Sequence, residues 1–284
     1  NFFISKETSI LVNNWFMMYF LSVILIGTIY PIFLEVISNE KISIGPPFYN
    51  ALLIPFLIPF LILMSFGPSI KWVSDNSKLV NLKLILLFFV SIFLSYLILT
   101  LTNLRGLFIT VLIGVSLYLF FSTLKDFFIK TQKNFSQKIS HFGFSLLVLS
   151  IVLNSTFSNE VSTNMKVGDN YKFEKGSIYF ERIDDFKKEN YISVVGTFKI
   201  TDDKNNKIFL YPELRIFNQP ATVTSEADIK TSIYSDKFLV MNLVKGDEYY
   251  NIRYQKKSFM IWIWISSILI AIGGMSIFFK KRIK

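Results

Sequence analysis

Six stretches of the chain are nearly free of charge over about twenty residues each, the length needed to cross a hydrocarbon core of about 30 Å. They fall at approximately 15–36, 52–70, 79–99, 104–124, 139–157 and 259–279. Between the fifth and sixth the pattern changes from continuous to alternating. Tyr191–Ile200 places Ile192, Val194, Phe198 and Ile200 on one face and Tyr191, Ser193, Thr197 and Lys199 on the other, which is a strand period. Thr201–Asn206 has turn composition and Lys207–Tyr211 reads as the return strand. Phe238–Val244, the turn Lys245–Glu248 and Tyr249–Tyr254 predict a second hairpin, with short strands at Tyr171–Phe173 and Ser177–Ile183. The pattern therefore predicts an integral membrane, multi-span α-helical bundle of about six transmembrane helices with a small mainly-β extracytoplasmic domain. Its divisions are a five-span region 1–158, a β-rich domain 159–257, and a last helix with a basic tail at 258–284.

Two proline clusters interrupt the pattern. In Gly45–Asn50 the pair Pro46-Pro47 is read as excluding helix and fixing an ordered extended turn in an outer loop. Pro55 and Pro59, followed by Gly67-Pro68, predict that the second span is kinked or broken, either for packing or to line a substrate path.

Composition supports the membrane class: 52% of the 284 residues are hydrophobic, 31 of them Phe, and the mean hydropathy is +0.46. The net charge of +10 raises the question of nucleic acid, and its location answers it. Residues 160–256 hold 15 basic and 15 acidic residues, so the excess belongs to the helical part. Lys6, Lys71, Lys78, Lys83, Lys125, Lys130, Lys133, Lys138, Lys280, Lys281, Arg282 and Lys284 flank the spans on one side, and the opposite short loops hold only Lys41 and Arg105. By the positive-inside rule both termini are cytoplasmic and the β domain lies outside. No nucleic-acid partner is implied. The absence of cysteine excludes disulfides and thiol chemistry by this chain itself. The chain opens on Asn1, close to an apolar segment and with no leader pattern, and is read as a fragment or a processed half.

Little catalytic chemistry is offered. No Gly-rich phosphate loop or metal-ligand cluster is present, and Asp184-Asp185 and Asp202-Asp203 are read as exposed turn acids. The lone histidine, His141, stands about one turn inside the fifth span beside Lys138 and Ser140. An ionisable group there is costly unless solvated, paired or coordinating, so it is either an interfacial residue or a metal or haem ligand. Gly143 removes side-chain bulk next to it, open to the close approach of a helix or of a flat macrocycle.

Four segments taken in order are more specific than any single residue: KISIGPPFYNALLIPFLIPFLILMSFGPSIKW (Lys41–Trp72), the His141-Phe142-Gly143 span, LYPELRIFNQPATVTSEADI (Leu210–Ile229) and WIWISSILIAIGG (Trp262–Gly274). Together they resemble the C-terminal half of the CcmF/NrfE family of haem lyases in c-type cytochrome biogenesis. The resemblance implies a subunit that takes haem from the chaperone CcmE and attaches it to CxxCH of apocytochrome c, with CcmH-type thiol proteins presenting the apoprotein. Cysteine thiols add across the haem vinyl groups, and those thiols belong to the partners. It implies that His141 is one axial ligand of a b-type haem that keeps the substrate haem reduced. It also implies an N-terminal half of CcmF, carrying the WWD segment and the remaining haem histidines, as a partner, without which this chain is inactive. The catalytic residues of thioether formation are not identified.

The family's outer motif usually reads PEKR, whereas this chain has Pro212-Glu213-Leu214-Arg215, and Lys256-Lys257-Ser258 stands where the family often has proline. Glu213 and Arg215, two apart in an extended segment, point the same way and contact either a partner or haem, or form a structural ion pair. The resemblance places the protein in the bacterial inner membrane, with the mitochondrial inner membrane as the alternative. Two readings from other classes stay open beside it: a membrane haem transporter or permease using the Pro55/Pro59 helix, and a cofactor-free assembly subunit.

Overall fold

The structure, a computed structural model, describes residues 5–38, 41–67, 78–128, 135–203, 205–244 and 248–280. Pro68, Lys71, Lys130, Lys133, the Lys245–Asp247 part of the second hairpin turn, and Lys281, Arg282 and Lys284 lie outside the described residues. Five helices come first: α1 (Lys6–Ser38), α2 (Pro46–Phe66), α3 (Lys78–Leu101), α4 (Leu107–Phe128) and α5 (Phe135–Phe157). Ten strands follow: β1 (Asn159–Met165), β2 (Asn170–Phe173), β3 (Gly176–Lys187), β4 (Tyr191–Asp202), β5 (Lys207–Leu210), β6 (Glu213–Asn218), β7 (Ala221–Glu226), β8 (Asp228–Lys230), β9 (Ser235–Leu243) and β10 (Tyr250–Ser258). A last helix, α6, spans Met260–Lys280. The first five helices are long and apolar enough to cross a membrane, and α6 carries a shorter apolar run, Met260–Ser276. The protein is thus a multi-span helical membrane protein with a mainly-β domain. Two compact units divide the chain, Asn1–Val152 with Ser266–Lys284, and Leu153–Ile265.

In the helical unit, small residues set the helix contacts, as expected where lipid removes the hydrophobic drive between helices. A Cβ on Gly114 of α4 would stand 3.0 Å from the Ile92 Cα of α3, and one on Gly27 of α1 would strike the Tyr49 ring of α2. Hydroxyls add cross-links: Ser95 donates to the Thr110 carbonyl at 2.8 Å, and Ser122 of α4 donates to the Ser65 carbonyl of α2 at 2.7 Å. Phe60 and Leu61 of α2 and Val115 and Leu119 of α4 form a buried cluster, against which Phe16 and Phe20 of α1 pack.

One expectation about α2 is corrected, and of the other only a break is excluded. Pro46 and Pro47 do not exclude helix; they begin it, after an extended Gly45 at the N-cap. Proline lacks only an N–H that the first helical turn leaves unpaired anyway, and its fixed φ suits that position. The helix also continues unbroken through Pro55 and Pro59 to Phe66. Next to Ala51, whose carbonyl loses its intrahelical donor at Pro55, the Leu52 carbonyl accepts a hydrogen bond from the Tyr19 hydroxyl of α1 at 2.9 Å, which ties the two helices together. At the other end of the first span, α1 starts at Lys6, well before residue 15. Ser5 caps it, its Oγ accepting from the Thr8 N–H at 3.2 Å.

The β unit is a sandwich of two antiparallel sheets, one ordered β1-β10-β9-β8 and the other β2-β3-β4-β6-β7, with β5 also paired to β4. Their inner faces meet in one core, with Ile178, Phe180, Phe198 and Leu214 from one sheet and Leu239, Met241 and Ile252 from the other. Phe180 and Phe198 stack with centroids 4.2 Å apart. Gly196 is the thin point of β4: a Cβ there would stand 3.0 Å from the Met241 Sδ of the facing sheet. The two predicted hairpins form as β4–β5 and β9–β10, and the two predicted short strands pair with one another as β2 and β3.

The paired acids are not all turn residues. Asp184 and Asp185 lie within β3, opposite Val195 and Val194, and Arg182 pairs with Asp184 at 3.0 Å. Asp202 ends β4 and meets Lys237 of the facing sheet at 3.7 Å. This part of β3 follows a register irregularity between Phe180 and Arg182 and lies beyond the reach of β2 (Asn170–Phe173), a sheet margin where charged side chains are tolerated.

Truncating Phe198 to Ala is expected to cost ~3–5 kcal/mol, the range for a fully buried phenylalanine. Hydrogen exchange of the β4 amides in the full chain should show this as a matching loss of opening free energy. A loss under ~1 kcal/mol would contradict the packing described.

Candidate functional site

α5 carries His141 in its second turn, and the residues around it are committed to neighbouring helices. On one side Phe142 meets Phe120 and Phe127 of α4, both with ring centroids 5.5 Å away, and the Ser145 hydroxyl is hydrogen-bonded to Thr123 at 2.6 Å. On the other side Gly143 is buried against α6, where a Cβ would stand 3.0 Å from the Ile270 nitrogen and 3.1 Å from the Leu269 Cβ. One turn earlier the pattern repeats in reverse: Gly273 of α6 leaves the space that Ser140 fills, and Ser136 donates to the Gly273 carbonyl. The bulk that Gly143 lacks is therefore filled by a helix.

His141 itself is half-buried. It shares a face of α5 with Phe144 and Val148, at i, i+3 and i+7. Those two pack on the Phe60, Leu61, Val115 and Leu119 cluster. The imidazole thus sits at the polar end of an apolar stripe, with its backbone fixed on both flanks by α4 and α6. That placement suits a ligand that must be held still. Among the described residues no group of three or more His, Cys, Asp or Glu side chains is placed to hold a metal ion. A haem asks less of the protein, one or two axial donors. With 1 His in the sequence, the donor set fits one imidazole position.

The other predicted residues lie at β6, with Pro212 just before it and Glu213 and Arg215 on its outward face. Pro212 is buried and accepts from the Gly196 N–H through its carbonyl at 3.0 Å. Glu213 and Arg215 are bonded to one another at 3.0 Å, and Arg215 also reaches Glu226 of β7 at 3.7 Å and lies over the Tyr191 ring at 5.4 Å. The hydrogen bond from Arg215 holds the Glu213 carboxyl below the usual carboxylate range; burial opposes this, and the Ser193 hydroxyl and the charges of Arg215 and Lys188 reinforce it. Leu214, between them, is fully buried in the sandwich core, so position 214 faces inward. Tyr191, Ser193 and Glu226 complete this cluster. They were legible only through strand pairing, since β4 and β6 place Ser193 opposite Arg215 and Tyr191 opposite Phe217.

Comparison with known proteins gives one consistent result. Residues 156–258 match the family described as CcmF C-terminal beta-sandwich. The chain is 26% identical, over 98% of its length, to cytochrome c-type biogenesis protein CcmF of Haemophilus influenzae, of which it covers 45%. It is likewise 26% identical over 98% of its length to CcmF of Escherichia coli, covering 44% of that protein, and 25% identical over 99% to NrfE of Haemophilus influenzae. A solved structure titled cytochrome c haem lyase CcmF superposes over 95% of the chain and 45% of that structure, with a TM-score of 0.72 at 20% identity, a likeness of fold. The chain spans under half the length of the relatives it matches, and its similarity to CcmF extends along nearly all of it.

Two outcomes are expected from this geometry. Gly143→Leu should lower the thermal stability of the detergent-solubilised chain, because α6 must move. Gly274→Leu, at a position with nothing within 4 Å of an added Cβ, should not; equal effects would contradict the contact. Glu213 contributes stability that is present above its unfolded pKa of about 4.3 and lost as pH falls through its lower folded value. Glu213→Gln should therefore flatten the acid side of a stability-against-pH profile, and an unchanged profile would contradict the pairing.

Proposed function

We propose that this chain forms the C-terminal part of a membrane haem lyase of c-type cytochrome biogenesis, with His141 as one axial ligand of a b-type haem. The observation that carries the proposal is the similarity to CcmF and NrfE proteins over 98–99% of the chain, joined to the position of His141 between fixed helix contacts. In this reading α4 and α6 hold α5 so that the imidazole keeps one orientation, while Phe144 and Val148 extend an apolar wall above it. A b-type haem held there by His141 would supply one-electron chemistry to the substrate haem. The partner imidazole comes from outside these 284 residues, because the sequence holds 1 His.

The assembly takes haem from the chaperone CcmE and attaches it to the CxxCH cysteines of apocytochrome c, which CcmH-type thiol proteins present. Each thioether forms by addition of a thiol across a vinyl group, the sulfur bonding to the α-carbon and the proton ending on the β-carbon. The reacting thiols come from the partners, consistent with a chain that has no cysteine. The β sandwich stands on the outer face of the bacterial inner membrane and both termini are cytoplasmic, as the lysine distribution supports. In its Glu213–Arg215–Glu226 cluster, Glu213 binds one terminal nitrogen of the guanidinium and Glu226 faces the other, while the buried Arg215 Nε has no hydrogen-bond partner among the described residues.

The test is complementation. A strain lacking its own CcmF, supplied with a complete CcmF that contains this chain, should regain haem-stained c-type cytochromes. His141→Ala should remove most of that signal while the protein still accumulates in the membrane. Undiminished cytochrome c with His141→Ala would overturn the ligand role, and no cytochrome c with the unaltered protein would overturn the lyase reading.

A further inference from the structure

Between β8 and β9 the chain makes a short loop whose tip is apolar although its flanks are polar, Lys230-Thr231-Ser232-Ile233-Tyr234-Ser235-Asp236. Ile233 is 60% and Tyr234 75% exposed. Such a pair on a soluble loop would favour no particular environment, but this loop is tied to the start of α6. The Ile233 carbonyl accepts from the Trp262 Nε1 at 3.0 Å. The Tyr234 carbonyl accepts from the Phe259 N–H at 2.9 Å. Phe259 adopts a left-handed backbone, φ 58°, at the turn from β10 into α6, a conformation a bulky residue holds only when its surroundings fix it. The loop is closed on itself as well: the Ser232 hydroxyl donates to the Ser235 carbonyl at 2.6 Å and accepts from the Ser235 N–H at 3.2 Å.

With the loop's backbone polar groups bound in this way, its two large side chains are presented at the level of the first turn of α6. We propose that Ile233 and Tyr234 form a membrane-interface anchor that inserts into the headgroup–acyl boundary of the bilayer that α6 enters. The occupant is lipid because the exposed surface continues into α6: Trp264, Ile268, Ile272 and Met275 are all exposed and recur at i, i+4, i+8 and i+11 on one face of that helix. Tyrosine and tryptophan, each with an apolar body and a polar tip, are the residues that settle at that boundary. The anchor adds a second attachment for the β sandwich beside its covalent links. The proposal rests on α6 entering the bilayer, and the experiment separates the two.

The chain has no native cysteine, so single labels are clean. Ile233→Cys, Val167→Cys and Ile268→Cys are each coupled to an environment-sensitive thiol fluorophore in the full chain, in nanodiscs of phosphatidylcholine and phosphatidylglycerol. Val167 is similarly exposed, at 48%, but follows β1 at the end away from Asn159, about 20 Å along the strand at ~3.3 Å per residue. The probe at 233 should be blue-shifted relative to that at 167, quenched by lipids bearing nitroxides near the headgroup, and protected from aqueous iodide. The probe at 268 should be quenched by deeper nitroxides. Iodide access at 233 equal to that at 167, with 268 still lipid-quenched, overturns the anchor alone; iodide access at 268 as well overturns the spanning of α6 and the anchor with it. Tyr234→Cys gives the same reading should Ile233→Cys not accumulate.

Discussion

A small set of hydrogen bonds at Ser258 joins the end of α5 to the end of β10. The Ser258 carbonyl accepts from Asn154 in the last turn of α5. Its N–H donates to Ser158 at 3.0 Å, and its hydroxyl donates to the Phe157 carbonyl at 3.1 Å. The final carbonyls of a helix and the first amide beyond a strand are groups that a buried chain reversal leaves without partners. Here each end satisfies the other. The chain therefore leaves α5 and returns toward α6 through neighbouring strands, β1 and β10, in register from Asn159–Lys256 to Met165–Tyr250. Glu160 reinforces that seam by binding both Arg253 and Gln255.

This constraint separates two kinds of packing that obey different rules. In the sandwich, burial of large apolar side chains in water drives assembly, and Phe180, Phe198 and Leu214 are fully enclosed. Among the helices, lipid offers no such drive, so contact depends on shape and hydroxyls. Gly114, Gly143 and Gly273 are where neighbouring helices or side chains come within van der Waals limits of the missing Cβ. His141 gains its fixed position from the second kind of packing, since Gly143 on α6 and Phe142 on α4 leave α5 little freedom to rotate.

Much of this was legible in the sequence, for physical reasons that also explain the failures. The helices were readable because a hydrocarbon core demands a length and a composition, and β4 because Val194, Phe198 and Ile200 alternate over a buried face. β7 was not readable: Ala221–Glu226 is an exposed edge strand with no apolar alternation. β6 was missed although Leu214 and Ile216 point inward, because Glu213 and Arg215 drew attention as a candidate contact. Pro46-Pro47 misled because the same missing N–H that stops a helix in its interior is harmless at its first turn. His141 was found as an anomaly, an imidazole in an apolar span, but the contacts that hold it depend on helix neighbours that no single segment reveals. Of the two roles open to Gly143, the structure shows the approach of a helix.

The proposed role of His141 as an iron ligand held by packed helices is tested most directly by the absorption and EPR spectra of the purified complete protein. The unaltered protein should show a reduced b-type spectrum and a low-spin ferric signal with two nitrogen axial ligands. His141→Ala, folded and purified in the same way, should lose that low-spin signal. An identical low-spin spectrum from the His141→Ala protein would contradict it.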